Sequence, residues 1–318
     1  MATGQPASAS RRLTPRPMPE AAPVITTFLP ANTRSPLRMS IMPHIASTGA
    51  RLYYEETGRG HPIVFVHEFG SDHREWELQV RFFSREYRCV AYAARGYPPS
   101  DVPEDPQLYG QDHSADDIAA VIRGLGLQRP YVVGLSMGAF ATLRFALRHP
   151  GLASALVLAG IGSGSNLAEL ELWRRTQREK SDQLLKEGWS NIAEETGHSP
   201  TRIQLKKKNL RAWNEFMTHL REHSVKGTAL TQRRYQGERD PVYAWEAELK
   251  KMSVPALIAV GDEDAPCIEP SVFLKRTLPH AGLWTCPRTG HAINLEEPEA
   301  FNREVATFFA GVERGGWV

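Results

Sequence analysis

The run Gly134-Leu135-Ser136-Met137-Gly138 places a hydroxyl between two glycines. It follows a strand-like stretch, Tyr131-Val132-Val133, and opens a helical pattern that ends near His149, just before Pro150. A sharp strand-to-helix turn lifts a serine clear of a sheet, and flanking glycines let the chain fold back without side-chain clashes. The free N–H groups and dipole of the following helix would face the same point, where they favour negative charge on a carbonyl oxygen. Nucleophilic acyl transfer is the chemistry such a turn serves. A plain tight turn would not need the strand and the helix where they stand.

A serine hydroxyl attacks poorly at neutral pH unless a base lies within hydrogen-bond reach. Among 11 histidines, His291 stands in Thr289-Gly290-His291-Ala292, between the last, weak strand pattern and a C-terminal helix. Ligands meet open α/β sheets at such strand ends. Most other histidines fall in surface or helical patterns, with His149 at a helix end. The base needs a carboxylate to fix its tautomer, and Gly261-Asp262-Glu263-Asp264 follows a strong strand ending at Val260. Asp264 sits further into the loop and can reach back over the sheet, which favours it; Asp262 is the alternative. Two N–H donors must hold the oxyanion. Met137 supplies one, directly after the serine, and by position Phe69 supplies the other from the loop Val66-His67-Glu68-Phe69-Gly70. His67 is read as a structural residue of that loop.

These residues need a sheet to carry them. Continuous apolar runs, as in strands buried on both faces, recur at Pro62–Val66, Cys89–Tyr92, Tyr131–Val133, Ala155–Leu158 and Ala256–Val260. Arg51–Glu55 alternates, and Leu283–Cys286 is a weaker strand pattern. Helical patterns lie between them. Ser114 and Asp117 read as a capping box ahead of Ile118, Val121, Ile122 and Leu125, with Gly126 as the stop. Another helix is expected from Pro298, burying Phe301, Val305 and Phe308. Strands alternating with helices predict an α/β fold: a mostly parallel central sheet with helices on both faces.

Residues 163–251 break the rhythm, with helical patterns and no convincing strand. Leu210, Trp213, Met217 and Leu220 form a stripe, and Lys206, Lys207, Lys208 and Arg211 crowd the start of the same expected helix as a solvated face. The segment is expected to be a helical lid over the sheet, between core portions 45–162 and 252–318. Its aromatics Trp173, Trp189, Trp213, Phe216 and Trp245 are candidates to shape a pocket or to form the lid's own core.

Composition narrows the function classes. A net charge of +2 is too small to argue for nucleic acid or an anionic membrane as partner, and no apolar run is long enough to span a bilayer. Cys89, Cys267 and Cys286 are too few and scattered for a disulfide framework or zinc site, which fits a reducing, cytoplasmic setting. Cys89 reads as a buried apolar residue; Cys267 and Cys286 fall near the candidate acid and base. Residues 1–44 hold eight of the 23 prolines, five arginines and a single acid, Glu20, and are expected to be disordered. They lack the apolar centre of a secretory signal, while an organelle transit segment remains an alternative.

The three segments Val133–Gly138, Gly261–Asp264 and Gly290–Pro298 resemble the catalytic segments of the α/β-hydrolase superfamily, serine-nucleophile branch, of esterase and enol-lactonase type. Arg95-Gly96-Tyr97-Pro98-Pro99-Ser100-Asp101 is similar to a loop of its esterase, lactonase and epoxide-hydrolase branches. The similarity runs from about Ala50 to Ala310. It implies Ser136 as nucleophile, Asp264 as acid, His291 as base, and Met137 and Phe69 as oxyanion donors, in the chain order this fold uses. A serine at the elbow argues against the aspartate-dependent dehalogenase and epoxide-hydrolase branches.

One position departs from the pattern. Glu68 stands where the family usually has glycine, which predicts some backbone cost and a carboxylate that either turns away into a salt bridge or enters the pocket. The expected activity is hydrolysis of a small to medium, largely apolar carboxylic ester or lactone. No metal or organic cofactor is implied, a small molecule is the expected partner, and a homo-oligomer is an open possibility. Carbon–carbon, thioester or amide hydrolysis or lyase chemistry on the same triad is the alternative within enzymes; a non-catalytic ligand receptor is the alternative outside them.

Overall fold

The computed structural model describes Met1 and residues 42–317, so the reading of the N-terminal extension lies almost wholly outside the described residues. Residues 42–317 form one unit. Eight strands make a single sheet: β1 (His44–Ser47), β2 (Ala50–Gly58), β3 (Pro62–Val66), β4 (Arg88–Tyr92), β5 (Tyr131–Leu135), β6 (Ala155–Ala159), β7 (Ala256–Gly261) and β8 (Ala281–Cys286). Their order is β1-β2-β4-β3-β5-β6-β7-β8. β1 and β2 run antiparallel to their neighbours, and every pairing from β4 to β8 is parallel. The expected α/β sheet is therefore present, with β1 as a strand that sequence reading missed.

Twelve helices surround it among the described residues: α1 (Glu77–Phe83), α2 (Gln111–Gly124), α3 (Met137–Arg148), α4 (Leu170–Glu187), α5 (Ser190–Gly197), α6 (Ile203–Lys208), α7 (Leu210–Glu222), α8 (Val225–Leu230), α9 (Glu246–Leu249), α10 (Ala265–Thr277), α11 (Ile293–Glu296) and α12 (Pro298–Glu313). Strand periodicity divides the apolar residues between two faces. Val64 and Val66 point to one side, with Ile118, Val121 and Ile122 of α2 and Phe140 and Leu143 of α3. Ile63 and Phe65 point to the other, with Phe83 of α1 and Phe301, Val305, Phe308 and Phe309 of α12. No helix among the described residues is long and apolar enough to cross a membrane.

Two helix boundaries differ from the sequence reading. α2 begins at Gln111 rather than after Ser114, so the expected capping box does not form; the Ser114 hydroxyl instead donates to the Gly110 carbonyl at 3.1 Å. Its end is as expected: Gly126 adopts φ 62°, with Gly126 N–H on the Arg123 carbonyl and Leu127 N–H on that of Ile122. Asp117, freed from any capping role, is buried. It accepts from Arg95 Nε at 2.7 Å and Nη2 at 2.6 Å, and from the Ser47 hydroxyl at 2.5 Å. Removing one member of a buried pair leaves the other's charge uncompensated. Asp117→Ala is therefore expected to lower stability by about 3–5 kcal/mol in urea unfolding; a loss below about 1 kcal/mol would contradict this account.

The second difference is the lysine cluster. Lys206, Lys207 and Lys208 end α6, and Asn209, at φ −141° and ψ 79°, breaks the helix there. The Asn209 carbonyl oxygen Oδ1 then caps α7 by accepting from Ala212 N–H at 3.1 Å. On α7, Ala212, Phe216, Met217 and Leu220 are buried, whereas Leu210 is exposed.

Candidate active site

Ser136 lies between β5 and α3 with φ 52° and ψ −112°, a conformation that non-glycine residues rarely adopt. Its N–H donates to Ala159 O at 2.8 Å, which ties the turn to the end of β6. The glycines on either side are required by close approach. A Cβ on Gly138 would lie 2.1 Å from Val66 O, and one on Gly134 would lie 2.4 Å from Gly138 O. Backbone cannot yield as a side chain can, so Gly138→Ala should destabilise by about 1–3 kcal/mol or more. A thermal unfolding midpoint unchanged from wild type would contradict this packing argument.

His291 follows β8 and its ring rests against Gly160, the residue after Ser136's backbone partner: imidazole atoms lie 3.4 Å from the position a Cβ would take there. The structure thus brings the imidazole to the strand end that also holds the serine. Nδ1 meets Asp264 Oδ2 at 2.7 Å, and both side chains are buried. Burial works against the charged imidazole, yet the Asp264 carboxylate, by charge and by hydrogen bond, outweighs it and holds His291 well above its ordinary range. Burial likewise pushes Asp264 up, and the His291 charge and hydrogen bond pull it below the usual carboxylate range. Asp262, the reserve acid, instead accepts from Thr289 N–H at 3.1 Å and shapes the loop.

That loop is held by residues to which the sequence reading gave no role at the site. Glu296 accepts from Gly290 N–H at 2.6 Å and Ala292 N–H at 3.1 Å, bracketing His291 from both sides. Lys208 donates to Thr289 Oγ1 at 3.2 Å and Glu297 at 2.7 Å, so one lysine of the expected solvated face latches the helical segment to the histidine loop.

The loop after β3 is fixed by His67, as expected. Its Nε2 accepts from Ala94 N–H at 2.9 Å, which leaves the proton on Nδ1 to donate to Glu68 O at 2.7 Å. Burial drives this imidazole down to about 4, so it is neutral and keeps that tautomer. A trans peptide points its N–H opposite its carbonyl. Pinning Glu68 O therefore turns the Phe69 N–H the other way. Tyr97 holds the next peptide, its hydroxyl donating to Phe69 O at 2.7 Å. Met137 is the first residue of α3, so its N–H has no carbonyl one turn back to bond.

Glu68 requires a correction. Its backbone lies outside the positive-φ region, so the expected cost of replacing glycine does not arise. Nor does the side chain choose between the two expected positions. It is buried, with Oε1 2.5 Å from Arg202 Nη2 and Oε2 3.9 Å from His291 Nε2. Arg202, between α5 and α6, stacks its guanidinium 4.7 Å from the Phe216 ring centre. Phe216 also lies within 3.5 Å of a Cβ built on Gly70, so it reaches the loop after β3.

The other aromatics have different tasks. Trp213 donates to Gly197 O at 2.8 Å and packs inside the helical segment, while Trp173 donates to Gln236 O at 2.8 Å at the segment's root. Neither is shown against Ser136 or His291. Trp245 joins the core on the sheet. Arg239 is a further buried cation, over Phe140 at 4.0 Å, with Nε and Nη1 lacking partners among the described residues.

All three cysteines are free and buried. Cys267 lies closest to the site, Sγ 3.3 Å from Gly160 O and 3.9 Å from His291 Nδ1. Its donor atom clusters with those of Asp264 and His291. Burial pushes the Cys267 thiol up, so it stays protonated at neutral pH.

The Alpha/beta hydrolase family model matches residues 63–304. The chain belongs to this family. The chain is 28% identical over 264 residues to the AB hydrolase superfamily protein YisY of Bacillus subtilis (strain 168), covering 81% of this chain and 94% of that one. It is 35% identical over 125 residues to epoxide hydrolase 3 of Mus musculus, 39% of this chain but only 34% of that protein's length. An enol-lactonase from Burkholderia xenovorans LB400 superposes with TM-score 0.73 at 21% identity, over 84% of this chain and 100% of its own. A thermophilic esterase from Thermogutta terrifontis gives TM-score 0.75 at 24%, over 85% and 98%. At those identities the likeness establishes fold.

Proposed function

We propose that this chain is a serine hydrolase that cleaves a small to medium carboxylic ester or lactone through an acyl-enzyme. The observation that carries the reading is the 2.7 Å contact between His291 Nδ1 and Asp264, on a ring resting at the strand end beside the strained Ser136 turn. With Nδ1 occupied by the carboxylate, the free lone pair of a neutral imidazole lies on Nε2, the nitrogen a base needs.

Ser136 Oγ attacks the carbonyl carbon while His291 Nε2 takes its proton. Negative charge on the carbonyl oxygen is met by the N–H groups of Met137 and Phe69. The imidazolium returns the proton to the departing alkoxide, which leaves as an alcohol. Water then adds to the acyl-enzyme with its proton going to His291, and collapse frees the acid and restores Ser136. Likeness to an esterase and an enol-lactonase supports this substrate class. The serine at the elbow counts against epoxide opening, despite the partial match to epoxide hydrolases. Three buried free thiols accord with a reducing, cytoplasmic setting.

The test is a panel of nitrophenyl esters, lactones and vinylogous diketones under one set of conditions. Highest kcat/KM on an ester or lactone is expected. Turnover confined to the diketones would move the assignment to carbon–carbon hydrolysis.

A further inference from the structure

Glu68 faces the nitrogen that the proposed mechanism needs empty. Its Oε2 is 3.9 Å from His291 Nε2, and its Oε1 is 2.5 Å from Arg202 Nη2. The oxyanion loop needs only backbone N–H groups at this point, so hydrolysis as such does not call for a carboxylate here. Its partner comes from elsewhere in the fold. Arg202 belongs to the helical segment, whereas Glu68 and His291 sit on loops of the sheet.

We propose that Arg202 and Glu68 act together as positioning residues that set whether His291 can serve as a base. With Arg202 seated, its charge offsets that of Glu68 and holds the carboxylate off Nε2. With Arg202 withdrawn, Glu68 is left unpaired in a buried site, and its best remaining partner is a protonated His291. A proton held on Nε2 in that way blocks removal of the Ser136 proton. Base competence is thereby tied to the seating of the helical segment. The inference rests on the triad reading above.

The surroundings leave these two groups as the variable ones. His291 is faced by Asp264 and Cys267 on its Nδ1 side and by Glu68 on its Nε2 side. Asp264 is already committed to Nδ1, and the Cys267 thiol is neutral. Glu68 is faced by Arg202, by Tyr97 and by Glu75, whose Oε1 accepts the Glu68 N–H at 2.9 Å. Burial, and then the charge of Glu68, raise Glu75 well above the usual carboxylate range. Glu296 is committed to the Gly290 and Ala292 N–H groups of the histidine loop; burial raises it as well, against the pull of those two donors. The Arg202–Glu68 pair has close charges but poor hydrogen-bond direction, since Glu68 Oε1 and Arg202 Nε lack hydrogen-bond partners among the described residues. Such a pair is held by charge and can be exchanged.

The test follows the rate at which a fluorophosphonate labels Ser136 in the full-length protein between pH 5 and 9. An unpaired anion about 4 Å from an imidazolium raises its pKa by roughly 1–3 units, and an unpaired cation acts oppositely. Arg202→Met should move the acid-side midpoint up by about 1 unit or more, and Glu68→Gln should move it down. The Arg202→Met/Glu68→Gln double variant should return to within about 0.5 unit of wild type, and Arg202→Lys should stay near it. A purely structural pair would lower rate at every pH and leave the midpoint in place, which would overturn the proposal. If Arg202→Met does not fold, Glu68→Gln alone decides, because an unmoved midpoint there is equally contradictory. Labelling of wild-type Ser136 with midpoints that fail to shift sinks only this inference; absence of labelling at any pH sinks the triad reading as well.

Discussion

Ser136→Ala should retain its fold and lose ester hydrolysis by about a million-fold. The fold is expected to persist because the turn is anchored through backbone, Ser136 N–H to Ala159 O and Phe140 N–H to Ser136 O, and alanine keeps both bonds. The loss is expected to be large because, in the proposed mechanism, the hydroxyl oxygen is the atom that becomes covalently bound. What remains should come from the oxyanion donors and from substrate orientation, which together still exceed the uncatalysed rate by about 10³–10⁴. Burst and steady-state kinetics on a nitrophenyl ester check this. A variant within tenfold of wild type would remove Ser136 from the mechanism.

Asp264→Asn should cost about ten-thousand-fold in kcat with little change in shape, since asparagine matches aspartate in size. The amide can donate to Nδ1 and so favours the tautomer with the proton on Nε2, which cannot accept from serine. The pH profile adds a sign. Asp264 raises His291 by stabilising the imidazolium. Removing the charge should therefore lower the imidazole pKa and shift the acid limb of kcat/KM to lower pH, even as the plateau falls. An acid limb moving upward would show that Asp264 does not face the base in the working enzyme.

Much of the site was legible because its parts obey local rules. Five apolar runs and an alternating one marked their strands correctly, and Gly134 and Gly138 signalled a turn that the structure shows to be sterically demanding. Asp264 was preferred to Asp262 for its reach across the sheet; Asp264 lies 2.7 Å from His291 Nδ1, whereas Asp262 accepts from Thr289 N–H. β1 was missed because His44–Ser47 is four residues long and lacks an apolar run. The capping box was misread because Ser114-x-x-Asp117 fits the local motif, while the use of Asp117 was decided by Arg95, which touches it only in the folded chain. Glu68 was visible as an anomaly. Its partner was not, because nothing near Arg202 in sequence marks it among the arginines of a helical segment. Glu296 had a weak signal, an acid close after the Gly-His pair, but only the loop's curvature aims both its oxygens at backbone N–H groups.

The central claim is that one hydroxyl, activated by one imidazole, is the nucleophile. Reaction of the folded protein with a fluorophosphonate, followed by mass spectrometry of the peptide spanning residue 136, reads this without knowing the natural substrate. A single adduct on Ser136, lost in His291→Ala while that variant stays folded, is the predicted result. An adduct on another residue, or equal labelling when His291 is absent, would contradict the account.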